Sequence, residues 1–285
     1  MSKILITGCN GQLGTELGAL LPDAIKTDYD VLDITNADAV KRFVDTNKID
    51  TIINCAAYTA VDKAEDDFDT ALKINAKGPK NLADTGAKII HISTDYVFPV
   101  SGPYQKNRPY KTDDPALPES IYGITKRKGE ELIWTGCPSV KNATIIIRTA
   151  WLYSPYGNNF VKTMLRLGET KSDINVVNDQ IGTPTYAADL AKAIVTILPQ
   201  MNRENSGIYH FTDEGVCSWY DFATEIMTMA GLPCDVHPIP TSEYPTRAKR
   251  PAYSVLDKSK IRKVFNVETP HWRKSLQDCL QRLGR

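Results

Sequence analysis

The chain has no run approaching the roughly 18 consecutive apolar residues that a membrane-spanning helix needs, so none of its 285 residues reads as part of a transmembrane span. It has no excess of either charge: 34 Lys plus Arg stand against 34 Asp plus Glu, for a net charge of zero. That balance argues against a dedicated nucleic-acid binder, which carries a basic surplus. It has no C-x-x-C pair. The six cysteines, at positions 9, 55, 137, 217, 234 and 279, are scattered through a chain too long to need disulfide staples, and they read as the reduced thiols of a cytoplasmic protein. The four histidines, His91, His210, His237 and His271, stand in no metal-ligand spacing, so no metal site is expected. There are no repeats and no low-complexity tracts. The N-terminal apolar run ends at Gly8 and reads as a first strand, not a signal peptide.

What is present is a composition of 42% hydrophobic and 24% charged residues, ample for a large core or two. Short β-rich runs alternate with helical patterns through the first half: strands at Lys3–Thr7, Ala24–Thr27, Thr51–Cys55, Lys88–Ser93 and Thr144–Arg148. Their cores are Ile, Val and Leu without strict alternation, as in strands covered on both faces. Helices are expected near Gly11–Leu21, Asp38–Thr46, Ala64–Thr85 and Ile121–Trp134, and later after Thr185, at Ser218–Ala230 and at Trp272–Leu283. Two proline-rich stretches break the rhythm. Pro99 to Ser120 carries five prolines and Pro238 to Pro251 carries four, and both read as loops, the first long enough for a lid or binding loop.

Gly8-Cys9-Asn10-Gly11-Gln12-Leu13-Gly14 directly follows the first strand and opens the first helix. Gly8 permits a sharp turn, Gly11 lets the backbone approach a pyrophosphate, and Gly14 lets the helix pack close on the sheet. Free N–H groups at the helix N-terminus then face the phosphates. Asp28, ending the second strand, is placed to accept hydrogen bonds from an adenosine ribose, where a 2′-phosphate would meet like charge and NADH would be favoured over NADPH. The expected fold is α/β, a doubly wound Rossmann-type parallel sheet with a smaller C-terminal substrate domain. Residues 1–150, completed by 185–215, form the dinucleotide-binding part; residues 151–184 and 216–285 form the substrate part.

Tyr122 and Lys126 lie four apart on one helical face, a phenol beside an ammonium. A nearby positive charge stabilises phenolate, so Lys126 is expected to lower the Tyr122 pKa and fit it for proton exchange with a carbonyl oxygen as hydride arrives. At the end of the fourth strand, Thr94 is placed to hydrogen-bond that carbonyl. Asp95 either holds a sugar hydroxyl or caps the following turn.

Gly8-x-x-Gly11-x-x-Gly14 with Tyr122-x-x-x-Lys126 resembles the extended short-chain dehydrogenases. Longer strings narrow the resemblance: Ala56-Ala57-Tyr58-Thr59-Ala60-Val61-Asp62-Lys63-Ala64-Glu65, Ser93-Thr94-Asp95-Tyr96-Val97-Phe98, Gly157-Asn158-Asn159-Phe160, Asn178 to Thr185, and Arg250-Pro251 with Ser254 and Leu256. Together, along nearly the whole chain, they are similar to the dTDP-4-dehydrorhamnose reductase family. The resemblance implies NAD(P)H-dependent reduction of dTDP-4-dehydro-L-rhamnose to dTDP-L-rhamnose, with a nucleotide sugar as the small-molecule partner. It implies that Gly11, Gln12 and Leu13 line the cofactor phosphates, Asp28 the adenosine ribose, and Asp33 and Ile34 the adenine. Ala57, Tyr58 and Thr59 would lie beside the cofactor, and Ile92 would border the nicotinamide. Tyr122 would be the proton donor, with Lys126 on the nicotinamide ribose and Thr94 and Asp95 on the 4-keto sugar. Trp151 would pack on the sugar or its base, or serve as plain core. Arg250 is either a partner of the substrate diphosphate or an ordinary surface arginine.

Two rivals share the fold: a non-catalytic regulatory subunit like the β subunit of methionine adenosyltransferase, and an extended-family epimerase or dehydratase. The intact Thr94, Tyr122 and Lys126 set speaks against the first. Tyr96, where dehydratases carry an acid, speaks against the second. The resemblance leaves a homodimer, and the use of a divalent ion, open.

Overall fold

Isoleucine-rich segments form the centre of the molecule. Ile4–Thr7, Ile25–Thr27, Thr51–Asn54, Lys88–Thr94 and Thr144–Thr149 are strands β1 to β5. With Gly207–His210 they make one sheet, parallel throughout, in the order Gly207–His210, β5, β4, β3, β1, β2. The structure is a computed structural model describing residues 3–100, 102, 105–135 and 142–285; Cys137 lies outside them.

Alternate strand residues point to opposite faces, and both faces are covered. Leu5, Ile52, Ile89 and Ile146 pack with Val40, Val44 and Leu82 on one side. Ile6, Ile53, Ile90, Ile145 and Ile147 pack with Leu13, Leu17, Leu190 and Ile194 on the other. The strand order reverses beside β1, and the crevice at the carboxyl ends of the strands there is where open α/β sheets bind ligands.

The segment read as one helix over 64–85 is broken. It runs as Val61–Ala64, Phe68–Leu72, a π-helical turn at Lys73–Lys77, and Gly78–Asp84. Pro79 has no N–H to give the Asn75 carbonyl, and the Gly78 N–H bonds back to Lys73 instead, widening the turn. The helix Ile121–Thr135 presses on that turn: a Cβ on Gly129 would lie 2.1 Å from the Asn75 oxygen.

A second core holds Tyr153, Val161, Met164, Leu165, Phe222, Ile226, Trp272 and Leu276. Its helices are Phe160–Thr170, Trp219–Ala230 and Trp272–Arg282, beside the paired strands Asp173–Val177 and Asp235–Ile239. The Trp219–Ala230 helix starts on a capping box between Ser218 and Asp221. Helix Ala187–Ile197 and strand Gly207–His210 belong to the sheet core. The helix Ser259–Phe265 also packs there, with Ile261, Phe265 and Val267 against Tyr209 and Phe211. This departs from the assignment of all of 216–285 to the substrate part: the chain returns to cover the sheet edge before its last helix.

Both proline-rich stretches differ from plain loops. Pro238 lies within the strand Asp235–Ile239. Tyr110, in the other stretch, is fully buried, stacks on Phe98 at 4.2 Å, and donates its N–H to Val255 O at 2.8 Å. Among the described residues of 99–120, Tyr110 and Ser120 are buried and anchor the stretch, and none lines the cleft described below.

Candidate active site

A cleft of about 860 Å³ opens at the carboxyl ends of β1 to β5. Its floor is the glycine turn. Gly8 has φ +66°, and a Cβ there would sit 2.7 Å from Ala56 N. A Cβ on Gly14 would sit 2.2 Å from Gly8 O, so the helix could not lie so close to the turn. Gly11 is different: its Cβ would meet Gly8 O at 3.3 Å and nothing else, because its other side faces the cleft. The helix Gln12–Leu20 has no side-chain cap at Gly11, leaving its first N–H groups to a ligand. Gly14→Ala is therefore expected to abolish dinucleotide binding, measured by nicotinamide fluorescence titration; unchanged affinity would mean the turn is not the cradle.

Asp28 lines the cleft at the end of β2, its carboxylate accepting from Asn10 N at 3.0 Å and Tyr29 N at 2.8 Å. Each oxygen keeps a lone pair for a further donor. Asp33 and Ile34 line the same end, with Asp33 fixed by Thr35 N at 2.9 Å. Ala57, Thr59 and Ile92 line the middle. Tyr58 does not. Its backbone N–H and carbonyl are both held by the Asn75 side chain, at 2.8 and 3.1 Å, so it braces the loop from behind.

Thr94, Asp95, Tyr122 and Lys126 converge on the cleft. A Cβ on Gly123 would lie 2.2 Å from Tyr96 O, so the Tyr122 helix seats directly on the chain leaving β4. Thr94 Oγ1 accepts from the N–H of Tyr96 in the turn that follows, at 3.2 Å. Thr94 Oγ1 donates to Asp95 Oδ1 at 3.1 Å. Asp95 is 2% exposed, and its Oδ2 is closed off from solvent. Burial raises its pKa to about 6 against the hydrogen bonds of Ser254 and Thr94.

The expected lowering of the Tyr122 pKa by Lys126 is not found. Burial pushes the Tyr122 hydroxyl above its ordinary value, against a hydrogen bond with Thr94. The Lys126 ammonium instead donates to the Ile92 carbonyl at 2.6 Å. Burial lowers Lys126 itself to about 8, opposed first by the charge of Glu130. Tyr122 is thus a firmly protonated phenol at neutral pH, the form a proton donor needs.

Trp151 leaves β5 with φ +50°. Its indole stacks on Trp219 at 3.6 Å between ring centroids, and Phe160 adds a third ring 4.6 Å from Trp219. Both indoles line the cleft as one aromatic wall. Trp219 is not singled out in the sequence, where it falls inside the helix expected at Ser218–Ala230; nothing local marks it. Arg250 also lines the cleft, but its guanidinium bonds Asp62 at 2.6 Å and Tyr96 Oη at 3.0 Å. It is neither on the open surface nor free.

Comparison with known proteins agrees with this geometry. The family model described as RmlD substrate binding domain matches residues 2–285. The dTDP-4-dehydrorhamnose reductase of Aggregatibacter actinomycetemcomitans is 42% identical over 297 residues, covering 98% of each chain. The crystal structure of a dTDP-4-dehydrorhamnose reductase from Clostridium acetobutylicum superposes with a TM-score of 0.92 at 45% identity, over 99% of this chain and 100% of that one. That of Bacillus anthracis str. Ames, in complex with NADP, gives 0.91 at 40%, with 99% and 100% covered. The chain belongs to the RmlD substrate binding domain family, among the dTDP-4-dehydrorhamnose reductases.

Proposed function

We propose that the protein reduces the 4-keto group of dTDP-4-dehydro-L-rhamnose to give dTDP-L-rhamnose, using a reduced nicotinamide dinucleotide. The observation that carries this reading is the convergence of Tyr122, Thr94 and Lys126 on the cleft whose floor is the glycine turn. When bound, the cofactor supplies the hydride. Gly8, Gly11, Gln12, Leu13 and Gly14 would hold its pyrophosphate, Asp28 its adenosine ribose, and Lys126 its nicotinamide ribose. The fit rests on the cradle that a Cβ would fill and on the uncapped helix N-terminus.

Tyr122 then gives its proton to the sugar oxygen as charge develops there, a general acid step worth roughly 10² to 10⁴ in rate. Thr94 would turn its one hydroxyl proton from Asp95 Oδ1 to the same oxygen, and the Lys126 ammonium holds positive charge close by. Asp95, which lines the cleft beside Thr94, would accept from a sugar hydroxyl. Tyr96 is the one departure from a dehydratase arrangement that the site makes plain. Its hydroxyl accepts from Arg250 and its edge packs on Tyr122 at 5.4 Å, so no carboxylate stands there for elimination chemistry.

The test is isotopic. With the transferable hydride of NADPH replaced by deuterium, the label should appear at C4 of the product sugar. Label elsewhere, or a dehydrated product, would refute the reading.

Asp28 favours NADH over NADPH by repulsion of a 2′-phosphate. Asp28→Ala should narrow the ratio of the two kcat/KM values severalfold; an unmoved ratio would remove Asp28 from the account.

Lys126 sets an alkaline limit. As pH rises through about 8, its ammonium is lost and kcat/KM should fall. Between about 8 and its ordinary value of 10.5, the unfolded chain still holds the proton that the folded chain has released. Stability from this group therefore rises with pH over the same window. Activity and stability moving in opposite directions there is the expected result; a flat rate profile would place no titrating lysine at the site.

A further inference from the structure

Gln12 stands at the first helical position of the dinucleotide turn, yet its side chain turns away into the other half of the molecule. Its Oε1 accepts from Asn159 Nδ2 at 2.9 Å and lies 3.1 Å from Ser154 Oγ, while its Nε2 donates to Leu152 O at 3.4 Å. A Cβ at Gly157, where φ is +60°, would touch Gln12 Cγ at 3.4 Å. Asn159 is equally committed. Its Nδ2 also reaches Ser154 O at 2.8 Å, and its Oδ1 accepts from Lys162 N at 3.1 Å, capping the helix Phe160–Thr170. That helix carries Phe160 against Trp219, and Trp219 stacks on Trp151. A continuous set of contacts thus joins the helix N-terminus under the dinucleotide to the loop bearing Asn158 and to the aromatic wall.

Resting only on the part of the reading above that seats a dinucleotide and a nucleotide sugar in one cleft, we infer that Gln12 is a positioning residue that couples the two ligand sites through Asn159. A dinucleotide seated on the helix N-terminus fixes the Gln12 backbone. The Gln12 amide then fixes Asn159 and the 154–159 loop, so ordering accomplished for one ligand is not repeated for the other. Such sharing makes each ligand tighten the other, by the same factor in both directions.

The experiment is an equilibrium titration of NADPH with and without saturating dTDP. In the unaltered protein, dTDP should tighten NADPH binding at least about fivefold. Two variants cut the joint from opposite sides. Gln12→Met keeps the stem and the backbone N–H but loses the amide. Asn159→Ser keeps a good helix cap but no longer reaches Gln12. In both, the effect of dTDP should fall to near onefold, and KM for the sugar nucleotide should rise by a larger factor than kcat falls. Coupling absent from the unaltered protein, or retained in both variants, overturns the inference. Weaker NADPH binding with coupling intact overturns it too, making Gln12 a phosphate ligand alone. If Gln12→Met does not fold, Asn159→Ser decides. Because binding needs no turnover, coupling without sugar reduction would sink the reductase reading and leave this one standing.

Discussion

Tyr122→Phe should lower kcat by roughly 10² to 10⁴ while leaving the fold and the dinucleotide affinity in place. The substitution removes one oxygen. The ring keeps its contact with Tyr96 at 5.4 Å and Thr94 Oγ1 keeps its bond to Asp95 at 3.1 Å, so only the hydrogen bond between Tyr122 and Thr94 is lost. What goes is the only group in the Tyr122, Thr94 and Lys126 set that burial holds protonated while it faces the substrate. Lys126 is held elsewhere, one of its N–H groups on Ile92 O at 2.6 Å and the others assigned to the nicotinamide ribose. Single-turnover rates with pre-bound cofactor would separate this loss from any loss of binding. A variant that reduces the sugar at the unaltered rate would show that the proton comes from elsewhere.

The largest stability loss is expected from Arg148→Met. Arg148, on β5, is 1% exposed and grips Glu130, which is 0% exposed, through two parallel bonds of 2.8 and 2.7 Å. Ser93 Oγ adds a third at 2.6 Å and Arg127 a fourth at 2.9 Å. Burial alone would raise the Glu130 pKa, but the bonds and charge of Arg148 more than reverse it and hold the carboxyl below its usual range. Without Arg148 a buried carboxylate remains with too few donors, at a cost of about 3–5 kcal/mol. Urea denaturation should show it. Replacing both members with apolar residues of similar volume should recover most of the loss, because no charge is then left behind. A loss under about 1 kcal/mol for Arg148→Met would mean the carboxylate had found water or a proton. The pair also bears on chemistry: Glu130 lies one turn after Lys126, and its charge is what most opposes the burial-driven drop in the Lys126 pKa.

The sheet was legible because both its faces are buried, which writes strands such as Thr51–Asn54 and Thr144–Thr149 as near-continuous isoleucine. The glycine turn was legible because backbone geometry at Gly8 and Gly14 admits no side chain. What the sequence misjudged depends on distant partners. The break at Lys73–Lys77 follows from Pro79, but the helix that packs on it meets it at Gly129, fifty residues on. The motifs around Asp62 and Arg250 were each visible, but not that they bond each other across 188 positions. Gln12 lines the cleft as the sequence reading has it, but nothing local says that its side-chain amide reaches Asn159. The sign of the Tyr122 shift was misread for the same kind of reason: four-residue spacing puts Lys126 on the same face, while burial and the Ile92 carbonyl decide what each group does.

The most direct test is the loss of nicotinamide absorbance when purified protein meets NADPH and freshly prepared dTDP-4-dehydro-L-rhamnose. The account predicts oxidation that depends on that sugar, saturates with it, and nearly vanishes with Tyr122→Phe. Tight binding of both ligands with no oxidation would contradict it and leave a protein that holds a dinucleotide and a nucleotide sugar without joining their chemistry.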